Sequence, residues 1–159
     1  MLAANRAFEA AFVREGLAAL SARPARRLAV VACMDARIDV HAILGLAPGD
    51  AHVIRNAGGR ATDDAISSLA ISRHLLGTDT ALIVEHTQCG LLGLDDDETR
   101  RDLAARTGSE VELPIGGFAD LDENLRAQVT RVSTHPWTAG MTVHGLVYDV
   151  ATGRLRAVS

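Results

Sequence analysis

Two short runs constrain this chain more than anything else in it: Leu28-Ala29-Val30-Val31-Ala32 and Ala81-Leu82-Ile83-Val84. Each is continuously apolar and bounded by polar or turn-forming residues, the pattern of a strand buried on both faces of a parallel sheet. Parallel strands need long crossovers, and the segments between and around these runs supply them. Residues 5–20 place Phe8, Phe12 and Leu20 on a loosely helical face that Ser21-Ala22-Arg23-Pro24 breaks, which predicts an N-terminal helix. A further strand is expected at His52-Val53-Ile54-Arg55, followed by a sharp turn at Asn56-Ala57-Gly58-Gly59. Thr62 or Asp63 then caps a helix that turns Ile66, Leu69, Ala70, Leu75 and Leu76 inward and stops at Gly77.

Residues 95–109 and 118–133 read as two more helices, residues 141–148 as a strand, and residues 149–153 as a turn into a short last strand. The order implies an α/β fold: a single domain over residues 1–159, with a mainly parallel central sheet of four to five strands, flanking helices and an N-terminal helix. A chain of 159 residues fits one hydrophobic core. In open sheets of this kind ligands collect beyond the carboxyl ends of the strands.

A formal charge of −4, with basic residues scattered along the chain, gives no footprint for nucleic acid. No apolar run is long enough to cross a bilayer, and the first residues do not form a secretory leader, so no membrane partner and a cytoplasmic location are expected. Aromatic residues make up 3% of the chain, too few to favour a site for a flat cofactor or a stacked base.

The two cysteines, Cys33 and Cys89, fall at expected strand ends. In a reducing compartment a distant pair points to metal or catalysis ahead of a disulfide. His86 closes the 81–84 run and stands three residues before Cys89, so two strand ends deliver two thiolates and an imidazole to one region. That donor set suits zinc, and three protein ligands leave the fourth tetrahedral position open, as catalytic sites do. Taken singly, each residue reads more readily as a buried small hydrophobe or a hydrogen-bonded core histidine. Their joint placement favours the metal. In Cys33-Met34-Asp35-Ala36-Arg37, alternate residues share a side of an extended chain, so Asp35 and Arg37 can pair; an Arg-held carboxylate stays ionised.

These residues resemble the β-class carbonic anhydrases. The resemblance rests on Cys-x-Asp-x-Arg at Cys33, Asp35 and Arg37, on Arg55-Asn56-Ala57-Gly58-Gly59, and on His-x-x-Cys-Gly at His86, Cys89 and Gly90, with a weaker match over residues 143–149. It implies one zinc ion per chain on Cys33, His86 and Cys89, an Asp35–Arg37 catalytic dyad, and the Gly90 backbone N–H near a substrate oxygen. The implied activity is that of a carbonate dehydratase, a zinc lyase in which a metal-bound hydroxide attacks carbon dioxide to give bicarbonate and a proton. The resemblance further implies a homodimer or dimer of dimers, with the N-terminal helix reaching onto the partner. The segment Arg23-Pro24-Ala25-Arg26-Arg27 lacks a Gln that family members often carry before the first strand, so the pocket differs.

Three alternatives stay open at this point. Carbonyl sulfide or carbon disulfide could replace carbon dioxide on the same site, since all three are small linear electrophiles. The ligands could instead hold zinc in a binding domain without turnover. A cysteine phosphatase loop is a poorer fit, because only three residues separate Cys33 from Arg37. As proton carriers, His41, His52, His74, His135 and His144 are candidates that the sequence leaves unplaced.

Overall fold

The computed structural model of the chain describes residues 1–158. Five strands form one sheet: β1 (Leu28–Cys33), β2 (Ala51–Asn56), β3 (Thr80–His86), β4 (Thr142–Tyr148) and β5 (Leu155–Val158), in the spatial order β2-β1-β3-β4-β5. β1 is parallel to both β2 and β3, and β3 is parallel to β4. β5 returns antiparallel along β4, after a turn built on Asp149. The mainly parallel single-domain α/β architecture expected from the apolar runs is the one observed.

The helices are α1 (Leu2–Arg14), α2 (Val40–Leu44), α3 (Asp63–His74), α4 (Asp96–Thr107) and α5 (Leu121–Thr134). Four of them start at a side-chain cap: Asp39, Thr62, Asp95 and Asp120 accept from the backbone N–H of Ala42, Ala65, Glu98 and Glu123. These caps satisfy amides that a helix start leaves without partners.

Alternation along the central strands divides the core in two. Ala29 and Val31 of β1 and Ala81 and Ile83 of β3 pack with Ile66 and Leu69 of α3 and Leu125 and Val132 of α5. Val30, Ala32 and Val84 join Ile38, Val40 and Leu46 on the other side, where α2 lies. Leu69 and Leu125 are fully buried, each contributing roughly 2–3 kcal/mol by its removal from water.

Some expectations shift in detail. The first helix ends at Arg14, because Gly16 adopts a left-handed conformation and the chain continues as one 3-10 turn, Leu17–Ala19. None of its residues is buried, and the rings of Phe8 and Phe12 lie against each other with centroids 6.0 Å apart. Helix α3 stops at His74, which leaves Leu75 exposed, and Ser72 is buried on its inward face instead. The short helix α2 had no counterpart in the sequence reading.

The ladder between β1 and β3 ends at Ala32–Val84, while β1 follows β2 as far as Cys33–Asn56 and β3 follows β4 as far as His86–Tyr148. The two central strands therefore part just before Cys33. Gly59 lies in the fork: a Cβ there would stand 2.8 Å from the Cys33 nitrogen and 2.8 Å from the Val84 oxygen, and its φ is +66°. Only glycine satisfies both the space and the backbone conformation.

Glu85, beside His86 on β3, is a buried carboxyl that the apolar reading of this strand missed. Its Oε1 accepts from Asn124 Nδ2 of α5 at 2.7 Å, whereas its Oε2 is buried without a partner. Asn124 accepts in turn from Gln128, whose side-chain oxygen accepts the Ala61 N–H at 2.9 Å, so one polar chain ties α5 to β3 and to the segment after the glycine turn. Burial raises Glu85 from 4.5 to about 7.

The folded state keeps a proton that the unfolded chain has released. Stability from this group is fully present below pH 4.5 and is lost as pH rises through about 7, an effect on the order of 3 kcal/mol. Glu85→Gln mimics the protonated form. Thermal unfolding should show the variant gaining on the natural protein between about pH 5 and about pH 8, and a difference that does not change with pH would contradict this.

Candidate metal centre

Cys33 is the last residue of β1 and His86 the last of β3, so the parting of these strands sets both at the rim of one crevice. Cys89 follows on a tight turn in which Gln88 takes a positive φ of 56°, uncommon for a residue with a side chain. All three are buried, and their sulfur and nitrogen donor atoms lie within 4.8 Å of one another. This is the grouping expected from the sequence. Both cysteines are free thiols.

The histidine discriminates between a metal site and an ordinary core. Nδ1 of His86 lies 2.9 Å from the Thr87 carbonyl, to which its N–H donates, and that fixes the tautomer with a lone pair on Nε2. Among the described residues Nε2 is buried with no hydrogen-bond partner. An acceptor left bare inside a protein is costly, and a cation among two thiols supplies its missing partner. The residues therefore fit zinc, a borderline ion that takes thiolate and imidazole ligands.

The charges lean the same way. Burial would raise the Cys33 thiol, but the adjoining His86 ring and the backbone amides of Asp35 and Gly58 outweigh it and bring the thiol down to about 7. For Cys89 burial dominates, and together with nearby Cys33 it raises the thiol despite the Leu91 amide. One thiol ready to ionise beside one that resists it is a pair that needs a cation to ionise fully.

Asp35 and Arg37 pair as expected, two residues apart at the crevice mouth. Arg37 Nε and Nη2 meet Oδ1 and Oδ2 of Asp35 at 3.0 and 2.7 Å, and the Arg37 backbone N–H adds a third bond at 2.9 Å. The guanidinium and this amide hold the Asp35 carboxyl well below the usual carboxylate range. Asp35 Oδ2 stands 3.8 Å from His86 Nε2, so the carboxylate faces the donor cluster.

The far side of the guanidinium is also occupied, by the Gln88 carbonyl at 3.1 Å and its side-chain oxygen at 3.4 Å. Gly90 is exposed next to Cys89; a Cβ there would meet nothing within 4 Å, and among the described residues its backbone N–H makes no hydrogen bond.

Sequence reading missed three supports of this site. Arg55 of β2 binds the carbonyls of Cys33 and Asp35. Gln88 holds Arg37. The Thr87 hydroxyl donates to Asp149 at 3.3 Å and accepts from the Val150 N–H, which fixes the residue whose carbonyl orients His86. Each links positions 20 or more residues apart in sequence; only the Arg55-Asn56 motif hinted at one of them. Three of the other histidines make contacts away from this site. His52 bridges Ser72 and the Ala22 carbonyl, His74 meets the Trp137 carbonyl, and His135 lies edge-on to the Trp137 ring.

Comparison with known proteins agrees with this geometry. A family model described as carbonic anhydrase matches residues 28–111. The chain is similar to beta-carbonic anhydrase 1 of Mycobacterium tuberculosis, at 44% identity over 137 residues, covering 86% of this chain and 84% of that protein. It is also similar to carbon disulfide hydrolase of Saccharolobus solfataricus, at 43% identity over 82% of this chain and 76% of that protein. The structure of carbonic anhydrase from Glaciozyma antarctica superposes with a TM-score of 0.91 at 39% identity, covering 100% of this chain and 96% of that one.

Proposed function

The chain belongs to the β-carbonic anhydrase family, and on that premise we propose that Cys33, His86 and Cys89 hold its zinc ion while Asp35, Arg37 and Gly90 handle substrate. The function is zinc-dependent, reversible hydration of carbon dioxide to bicarbonate and a proton. The observation that carries the metal assignment is the bare, buried Nε2 of His86 among two thiols.

When bound, zinc supplies the Lewis acidity that makes water a nucleophile, at a more alkaline pH than an all-imidazole site because two thiolates donate more charge. The chain's own residues do the rest. Asp35, kept ionised by Arg37, is too weak a base to take a proton for long and acts as a hydrogen-bond acceptor at Oδ2, turning the attacking oxygen toward the substrate carbon. The Gly90 N–H donates to the substrate oxygen on which charge develops. Leu91 and Phe118, packed against the apolar cluster that includes both cysteines, give this region an apolar character suited to a small linear gas.

Carbon disulfide is the alternative substrate. The identities to the carbonic anhydrase and to the carbon disulfide hydrolase, 44% and 43%, are nearly equal, and the hydrating residues act on either molecule in the same way.

Oligomerisation completes the reading. Helix α1 has 13 residues and buries none of them, while Leu2, Phe8 and Val13 face outward. A helix this short is marginal alone in water, so its apolar side chains belong against a second copy, in a homodimer or dimer of dimers. No helix among the described residues is long and apolar enough to cross a membrane, and the two free thiols fit a cytoplasmic setting.

Zinc quantification joined to stopped-flow carbon dioxide hydration tests the reaction. The natural protein should carry about one zinc per chain, and Asp35→Ala should keep the metal while kcat/KM falls roughly 10- to 100-fold. Zinc without hydration at any pH would contradict the assignment, with carbon disulfide hydrolysis in the same samples identifying the alternative. Light scattering should give the mass of a dimer or tetramer; a monomer at micromolar concentration would contradict the role given to α1.

A further inference from the structure

Beyond Ala32 the backbone leading to the site leaves the sheet on one side. The β1–β3 ladder has ended, and residues 33–37 must nevertheless present a metal ligand and a catalytic carboxylate at fixed separation. Two attachments to β2 hold them. The Met34 N–H donates to the Asn56 carbonyl at 2.8 Å. Arg55 does more: its Nε and Nη2 donate to the Cys33 carbonyl at 3.0 and 2.9 Å, and Nη2 also reaches the Asp35 carbonyl at 2.7 Å.

No carboxylate forms an ion pair with Arg55 among the described residues. A full positive charge is thus committed to two main-chain oxygens, one on each of the residues whose side chains matter most. Such bonds are stronger than those between neutral groups, and the planar fork imposes an angle as well as a distance.

We propose that Arg55 is a positioning residue for the reaction: by clamping the carbonyls of Cys33 and Asp35 it sets the Asp35 carboxylate relative to the metal. This rests on the functional reading above. Arg55 acts through the backbone and touches no reacting atom, so its loss should lower turnover and leave substrate capture alone. The fork is what matters. A lysine keeps the charge but offers a mobile point donor that can serve one carbonyl at a time.

The test compares natural protein, Arg55→Lys, Asp35→Ala and the double variant, each loaded with zinc for kinetics and with cobalt(II) for absorption spectra. For Arg55→Lys, kcat should fall on the order of 10- to 100-fold with KM within about twofold, because small misplacements of a catalytic group cost that much. The cobalt visible bands should shift, since the Cys33 end of the coordination sphere is no longer pinned. In the Asp35→Ala background the same lysine change should cost little further activity, as expected of residues acting in series.

Wild-type turnover and an unchanged cobalt spectrum in Arg55→Lys would overturn the proposal, showing that charge suffices. Fully multiplicative losses in the double variant would overturn it too, since Arg55 would then act apart from Asp35. Should the lysine variant not fold, Arg55→Gln carries the same readouts. A natural protein that neither binds cobalt nor turns over would defeat the parent reading; an active one with an indifferent Arg55→Lys defeats only this inference.

Discussion

The ladder that joins β1 to β3 stops at Ala32–Val84, and the loss of that backbone pairing is the condition for everything at the carboxyl edge of the sheet. Two parallel strands in full register would close the gap in which Cys33 and His86 meet. The gap is held open by Gly59, whose backbone fits where any Cβ would strike both strands. It lies where the chain passes from β1 outward to β2 and then back across to β3, the reversal of strand order at which open α/β sheets form their binding crevices. Topology thus chooses the place, and the sequence fills it with two thiols and an imidazole.

Around that crevice charge is arranged in layers. Buried Cys33, Cys89 and His86 form a cluster that is incomplete without a cation, because His86 Nε2 has no partner and Cys89 is held toward its protonated form. Asp35 sits at the mouth with its charge secured by Arg37, and Gln88 occupies the outer edge of that guanidinium. Behind the strand, Glu85 is raised to about 7 by burial and rests on Asn124, which adds little fixed negative charge beneath the cluster below that pH. The site therefore combines a soft donor set with a hard carboxylate beside it that Arg37 keeps ionised at neutral pH.

Most of the fold was legible because buried parallel strands announce themselves as continuous apolar runs, and because Thr62 and Gly59 punctuate the chain where it must turn. The grouping of Cys33, His86 and Cys89 was legible for a related reason: chemistry-bearing residues stood at or just beyond the ends of those runs. What escaped was long-range or contrary to pattern. The Arg55 clamp depends on a pairing of β1 and β2 that no local spacing reveals, and Glu85 is a carboxylate in a position that periodicity assigns to an apolar side chain. The outward face of α1 was read as apolar, but only the structure showed that none of its residues is buried among the described residues.

The central claim is that one zinc ion sits among Cys33, His86 and Cys89. X-ray absorption at the zinc edge of the purified protein measures this most directly. Two sulfur neighbours at about 2.3 Å and nitrogen or oxygen neighbours at about 2.0 Å are expected, with Cys89→Ser reducing the sulfur count by one. A first shell without sulfur, or with four sulfurs, or a protein purified without zinc under conditions where it is active, would contradict it.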